Sequence, residues 1–184
     1  MMFEHSFDNI QKIAIVSLFF VIGGILGWCL ETCFYRVNDG RFIRRGHGRG
    51  PWLPIYAFGG LSILLLTYKF YENPLMIVLI SAIVAGIVEY GTGWFLYRHF
   101  DGLRLWDYNI EKWNWGNVQG FICFRSISFF AIAGLFIDYV LFPSVCNLAL
   151  SVSRFAFCSI SFTLLLLFVI DIFIGYFVKG LKKS

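Results

Sequence analysis

Charge is scarce in this sequence. Only 14% of its 184 residues are Asp, Glu, Lys or Arg, where soluble domains carry about a quarter. No polar stretch is long enough to fold apart, and no Ser-, Pro- or acid-rich linker marks a second domain. Those absences exclude a soluble globular domain and leave one integral membrane domain over 1–184. The N-terminal MMFEHSFDNIQK has neither a basic region nor a small-residue cleavage site, so the first apolar run is expected to be retained. Histidine is nearly missing. His47 and His99 stand alone, neither HExxH nor a Cys/His ligand spacing occurs, and a protein-built metal site is not expected. GxxxxGK[ST] is also absent, which excludes nucleotide hydrolysis by these residues on their own. No cofactor and no nucleic-acid partner is expected. The five cysteines are odd in number and sit in or beside apolar runs, so a disulfide framework is not expected. Cys29 and Cys33 would share a helix face and are read as small packing residues.

What is present is apolar and aromatic: 59% and 20% of the chain. A bilayer core about 30 Å thick needs roughly 20 apolar residues per helix. On that ruler the spans fall at about 13–35, 52–68, 75–97, 118–140 and 156–178. Gly23 and Gly27 make a small-residue face on the first. Pro51 and Pro54 open the second and Asn73-Pro74 the third, where a missing N–H is tolerated. The segment 141–155 is too short and too polar at its ends for a span and reads as an interfacial or re-entrant piece. The expected fold class is thus all-α: a polytopic membrane helix bundle of five transmembrane helices plus that segment. Dividing the run near Pro143 differently gives six spans.

Five spans put the termini on opposite sides. Arg36, Arg41, Arg44, Arg45, Arg49, Arg98, Arg104, Lys112, Lys179, Lys182 and Lys183 share one side, against Lys12, Lys69 and Arg154 on the other. The positive-inside rule then makes the C-terminus and the 1–2 and 3–4 loops cytoplasmic, in a multi-pass protein of the cell membrane.

Four ionisable residues lie well inside apolar helices: Glu31, Glu89, Arg125 and Asp171. By default such residues face the bundle interior or water and mark a site. Counted from the loop ends, all four fall roughly 8 to 14 Å in from one face. This predicts a shared polar cavity open to the two long loops, or else a structural ion-pair network such as Arg125 with Glu89. One arginine cannot neutralise three carboxylates, which argues for a bound proton, cation or loop arginine.

The 1–2 loop, RVNDGRFIRRGHGRGPW, interleaves arginine with glycine. Such a loop suits a phospholipid head group or a phosphorylated or carboxylate substrate, with Arg45 a candidate contact. Its alternative is unspecific attraction to anionic lipid. In the 3–4 loop, Trp106, Tyr108, Trp113 and Trp115 fit an interfacial aromatic belt, and Asp107 fits a structural cap better than a catalytic acid. A carboxylate near the end of a helix recurs at Glu31 and Glu89, each ahead of an arginine and a glycine, as in a parallel duplication.

Several pieces together resemble a known family. They are GWxxE (Gly27, Trp28, Glu31), Arg45-Gly46 followed by GPWLPIYAFG (Gly50 to Gly59), VEY (Val88 to Tyr90), LWDY (Leu105 to Tyr108) and the Asn117, Gly120, Ile122, Cys123 pattern. They are similar to the bacterial "putative ABC-transporter type IV", or CmpB-like, membrane family, whose pattern animal transmembrane protein 229 relatives share. The resemblance implies a permease.

The reading that follows is a transport or lipid-handling membrane protein with membrane lipids as partners, and with a separate ATPase subunit or a second copy of the chain. Its candidate binding residues are Glu31, Arg45, Glu89, Arg125, Asp171, Trp106, Asp107, Tyr108 and Asn117. An alternative is an intramembrane enzyme acting on a lipid-like substrate, with Glu31 or Glu89 as general base. No strong nucleophile constellation supports it, so transport is favoured. A non-catalytic membrane subunit is the second alternative.

Overall fold

The structure, a computed structural model, describes residues 7–40, 46, 48–111 and 114–178. Among them the secondary structure is helical throughout. Helix α1 is Asn9–Asp39, capped by the Asp8 carboxylate, which accepts from the Gln11 N–H, and closed by Gly40 in the left-handed conformation. Helix α2, Pro54–Thr67, continues into a 3-10 turn, Tyr68–Phe70. Helix α3 is Pro74–His99, with Asn73 as N-cap and Pro74 in its first turn. Helix α4, Phe124–Phe136, passes through a π turn, Ile137–Leu141, into α5, Phe142–Ser151. Helix α6 is Arg154–Ile172, followed by a second π turn, Phe173–Val178.

Four of these rods are long and apolar enough to cross a membrane: Asn9–Val37, Pro74–His99, Phe124–Ser151 and Arg154–Gly175. They make the chain a multi-pass helical membrane protein. Helix α2 has 14 residues, about 21 Å at 1.5 Å each, and is the shorter apolar helix of the set.

Two boundaries differ from the sequence reading. The fourth span begins at Phe124 rather than 118, because 118–123 closes on itself: the Val118 N–H donates to the Ile122 carbonyl at 2.9 Å. The segment 141–155, read as a separate interfacial piece, is for the most part a direct continuation of the fourth helix through the π turn. Pro143 supplies the reason. Its ring crowds the carbonyl of Tyr139 and has no N–H to offer it, so the helix widens over the preceding turn instead of breaking.

The chain divides into two compact units, one running to Leu61 and resuming at Val140, the other Ser62–Tyr139. In the first, Ala14, Ile15 and Leu18 of α1 pack with Val145, Cys146 and Ala149 of α5 and with Phe157 of α6. A second cluster joins Phe20 and Val21 to Ala57 and Phe168. Gly27 lies directly against the Tyr56 ring, as a small residue on that face permits, and the Leu53 N–H donates to the Gly24 carbonyl at 3.0 Å. In the second unit, α3 and α4 pack along their length. The buried face of α3 is Ile77, Ser81, Val84, Ala85, Glu89 and Gly93, a stripe at helical spacing that contains two polar residues.

Candidate functional site

The loop between α3 and α4 folds into a tight knot built from the LWDY and Asn-x-x-Gly pieces. The Asp107 carboxylate accepts from the Asn109 N–H at 3.0 Å and from the Asn109 amide at 2.8 Å, an Asx turn that closes the loop locally. Asn117 bridges this turn to the far side of the loop. Its amide donates to the Asn109 side chain and its oxygen accepts from the Gly120 N–H, both at 2.8 Å. The Tyr108 N–H then donates to the Gly120 carbonyl at 3.0 Å, and the Trp106 indole to the Phe121 carbonyl at 2.8 Å. Gly120 has φ +79°, and a Cβ there would run into Asn109, Arg104 and Asp107, so only glycine fits the centre of the knot. Asp107 thus holds the turn of the loop through its contacts with Asn109. Trp106 and Tyr108, expected in an aromatic belt, are pinned within the loop, and Tyr108 is buried. Trp115 is exposed, and Trp113 lies outside the described residues.

Beneath the knot, Glu89 is 7% exposed and accepts a 2.5 Å hydrogen bond from the Tyr108 hydroxyl. Burial first, and then the Glu89 charge, push the Tyr108 phenol far above its ordinary value, so it remains a neutral donor. The Arg125 guanidinium lies 5.7 Å from the centre of the Tyr108 ring and pairs with Glu111 at 2.7 Å. The structure thus brings Glu89, Tyr108 and Arg125 together, with Glu111 paired to Arg125.

Facing outward from the same knot is an open cleft of about 540 Å³, lined by Trp94, Tyr97, Arg98, Arg104, Asn109, Gln119 and Phe121. Arg104 lies over two adjoining rings, 4.8 Å from Tyr97 and 4.5 Å from Phe121. Its hydrogen bonds, to the Gln119 carbonyl at 2.9 Å and Asp107 at 3.4 Å, use one terminal nitrogen. The Tyr90 hydroxyl holds the Gln119 side chain at 2.9 Å. Sequence reasoning counted Arg98 and Arg104 toward orientation, and Arg98 also toward the duplication, but neither as a binding residue. Their place in a cleft depends on Gln119 and Gly120 both turning through positive φ, which residue spacing alone does not signal.

In the other unit, Asp171 meets the end of the arginine-glycine loop. Its carboxylate accepts from the Arg49 N–H at 2.7 Å, the Gly50 N–H at 3.0 Å and the Trp52 indole at 2.8 Å. It latches the end of the arginine-glycine loop onto α6 with neutral donors. Three N–H donors converging on one carboxylate are a favourable arrangement for a half-buried charge. Glu31 is half-buried on α1. Arg45 lies outside the described residues.

One buried acid escaped the sequence reading. Asp138 is 3% exposed. With a span ending near 140 it would sit at a helix end, where a charge is ordinary. In the continuous helix Phe124–Ser151 it sits near the middle.

Apolar helices of spanning length, with buried carboxylates along them and a polar knot at a loop end, define a multi-pass helical membrane protein. The chain belongs to the family described as "Putative ABC-transporter type IV", which matches residues 18–176. No curated protein and no solved structure matches it.

Proposed function

We propose that this chain is the membrane component of a transport or lipid-handling system, and that the cleft at the end of α3 takes the anionic head of an amphiphilic substrate. The observation that carries this reading is the pair Arg98 and Arg104 in one cleft among Trp94, Tyr97 and Phe121. Guanidinium groups recognise phosphate and carboxylate in a fork, and the aromatic walls suit the start of an apolar tail. The volume falls in the usual range for small-molecule sites, roughly 300 to 1,000 Å³. Arg104 is held in place by its two rings and the Gln119 carbonyl, so little side-chain freedom is lost on binding.

The loop carrying the cleft faces the cytoplasm of the cell in this reading, as the distribution of basic residues supports. Energy, where transport needs it, comes from an ATPase on another chain, since these 184 residues contain no phosphate-binding Walker loop. A second copy of the chain is the other partner considered.

The test is lipid retention. The protein is purified in mixed phosphatidylglycerol and phosphatidylcholine nanodiscs, and bound lipid is measured by native mass spectrometry. Wild type should retain the anionic lipid preferentially, and Arg98→Ala with Arg104→Ala should lose that preference while remaining monodisperse. Equal retention by the double variant and wild type refutes the reading.

A further inference from the structure

The feature the cleft leaves unexplained is Asp138, on the π turn Ile137–Leu141. Such turns insert an extra residue into a helix and redirect a side chain, and they recur at functional positions. Thr67, fully buried at the end of α2, is near enough to act on the carboxylate, but its own hydroxyl donates to the Ile63 carbonyl at 2.8 Å. From α3 comes Ser81, also fully buried. Its hydroxyl sits where a side chain on Gly134 would be, one helical turn before Asp138. Neither Asp138 carboxylate oxygen nor the Ser81 hydroxyl has a hydrogen-bond partner among the described residues. Two buried, unpartnered polar side chains therefore occur within one turn of the same helix contact.

The titratable groups around Asp138 do not supply a counter-charge. On its own helix Tyr139 follows it, and the Tyr139 hydroxyl donates to the Tyr71 carbonyl at 2.7 Å with the two rings 4.8 Å apart. On the 3-10 turn Lys69 lies over the Tyr68 ring at 5.9 Å, and Glu72 beyond it is exposed. The facing part of α3 presents Ile77 and Ser81, neither of them titratable, and Glu89 is two turns further on. No ion pair to Asp138 occurs among the described residues.

An ionised carboxylate in this position has lost its water and gained nothing in exchange. A neutral carboxyl avoids that penalty, and the lone pairs of the Thr67 hydroxyl oxygen are available to accept its proton. We infer that Asp138 is a proton-binding site, loaded from the water at the Tyr68–Asn73 turn and closed off there by the Tyr71 and Tyr139 pair. Loading transfers one proton from hydronium to the carboxylate and leaves a water molecule; release is the reverse. The inference stands whatever the cleft binds, and gives the protein a group able to couple a proton to a change of state.

The experiment is isotope-edited infrared spectroscopy of the full chain in lipid nanodiscs at neutral pH. Wild-type protein carrying 13C at the aspartate side-chain carboxyl should show a protonated C=O stretch that moves with the label. Asp8 and Asp101 are exposed, and Asp107 and Asp171 accept hydrogen bonds. The band should vanish in Asp138→Asn. Absence of a label-sensitive band from wild type overturns the proposal, and this reading needs no variant to fold. Survival of the band in Asp138→Asn overturns it as well. A band that appears only when sodium is withdrawn also overturns it, because the site then holds a cation.

Discussion

Removing the Asp171 carboxylate should release the end of the arginine-glycine loop in measured steps. Two donors, the Gly50 N–H and the Trp52 indole, converge on one oxygen, and the Arg49 N–H meets the other. Hydrogen bonds to a charged acceptor contribute about 1.5 to 3 kcal/mol each, and the lower figure applies to a half-exposed site. Asp171→Ala forfeits all three and should destabilise the docked loop by about 4 kcal/mol, allowing for non-additivity. Asp171→Asn keeps one oxygen, which serves Gly50 and Trp52, but turns an amide N–H toward the Arg49 N–H; about 2 kcal/mol is expected. At about 1.4 kcal/mol per factor of ten, the open population of the loop rises more than tenfold in Asn and by several hundredfold in Ala. Limited trypsin cleavage after Arg49 reads that population directly, since the exposed arginine is cut when the loop lifts. The expected order of cleavage is Ala fastest, Asn intermediate, wild type slowest, with Trp52→Phe between Asn and wild type. Equal rates for Asp171→Asn and wild type refute the latch and return Asp171 to the list of binding residues.

Gly120→Ala forces a left-handed conformation on a residue with a side chain, about 1 to 2 kcal/mol, and disrupts the Asn109 and Asp107 contacts for roughly as much again. The thermal melt followed by size exclusion should fall accordingly, and anionic lipid retention should fall with it. Tyr108 supplies a pH prediction. Its phenol is raised in the folded protein, so its stabilising contribution is complete below the unfolded value of about 10 and declines as pH rises beyond it. Wild-type melting temperature should therefore drop in that alkaline range, and Tyr108→Phe should remove that part of the slope. At neutral pH the same variant deprives Glu89 of its 2.5 Å donor and should lower stability by about 1 to 3 kcal/mol.

Much of the site's chemistry was legible residue by residue, and little of its pairing was. Glu89 stood out because an acid in an apolar helix has few reasons to be there, and it is indeed buried. Its partner did not stand out, because Tyr108 lies 19 positions away across a loop whose path turns on two residues of positive φ. The same holds for Arg125, which found Glu111 across the same loop. Asp138 was missed for the opposite reason. Local rules treat Pro143 as a stop, whereas packing lets a helix widen and continue past it.

Composition and periodicity by themselves determined that this is a multi-pass helical membrane protein, because lipid leaves the backbone no other way to satisfy its hydrogen bonds over such apolar runs. They also determined where α3 begins, since Asn73 and Pro74 act within one turn. Only the tertiary structure decided which charges meet. Asp171 closes a loop over 119 to 122 residues of separation, Arg104 lies over the rings of Tyr97 and Phe121, and Asp138 is enclosed with no hydrogen-bond partner among the described residues. Those outcomes depend on the distance and desolvation of groups far apart in the chain, quantities that exist only once the helices have packed.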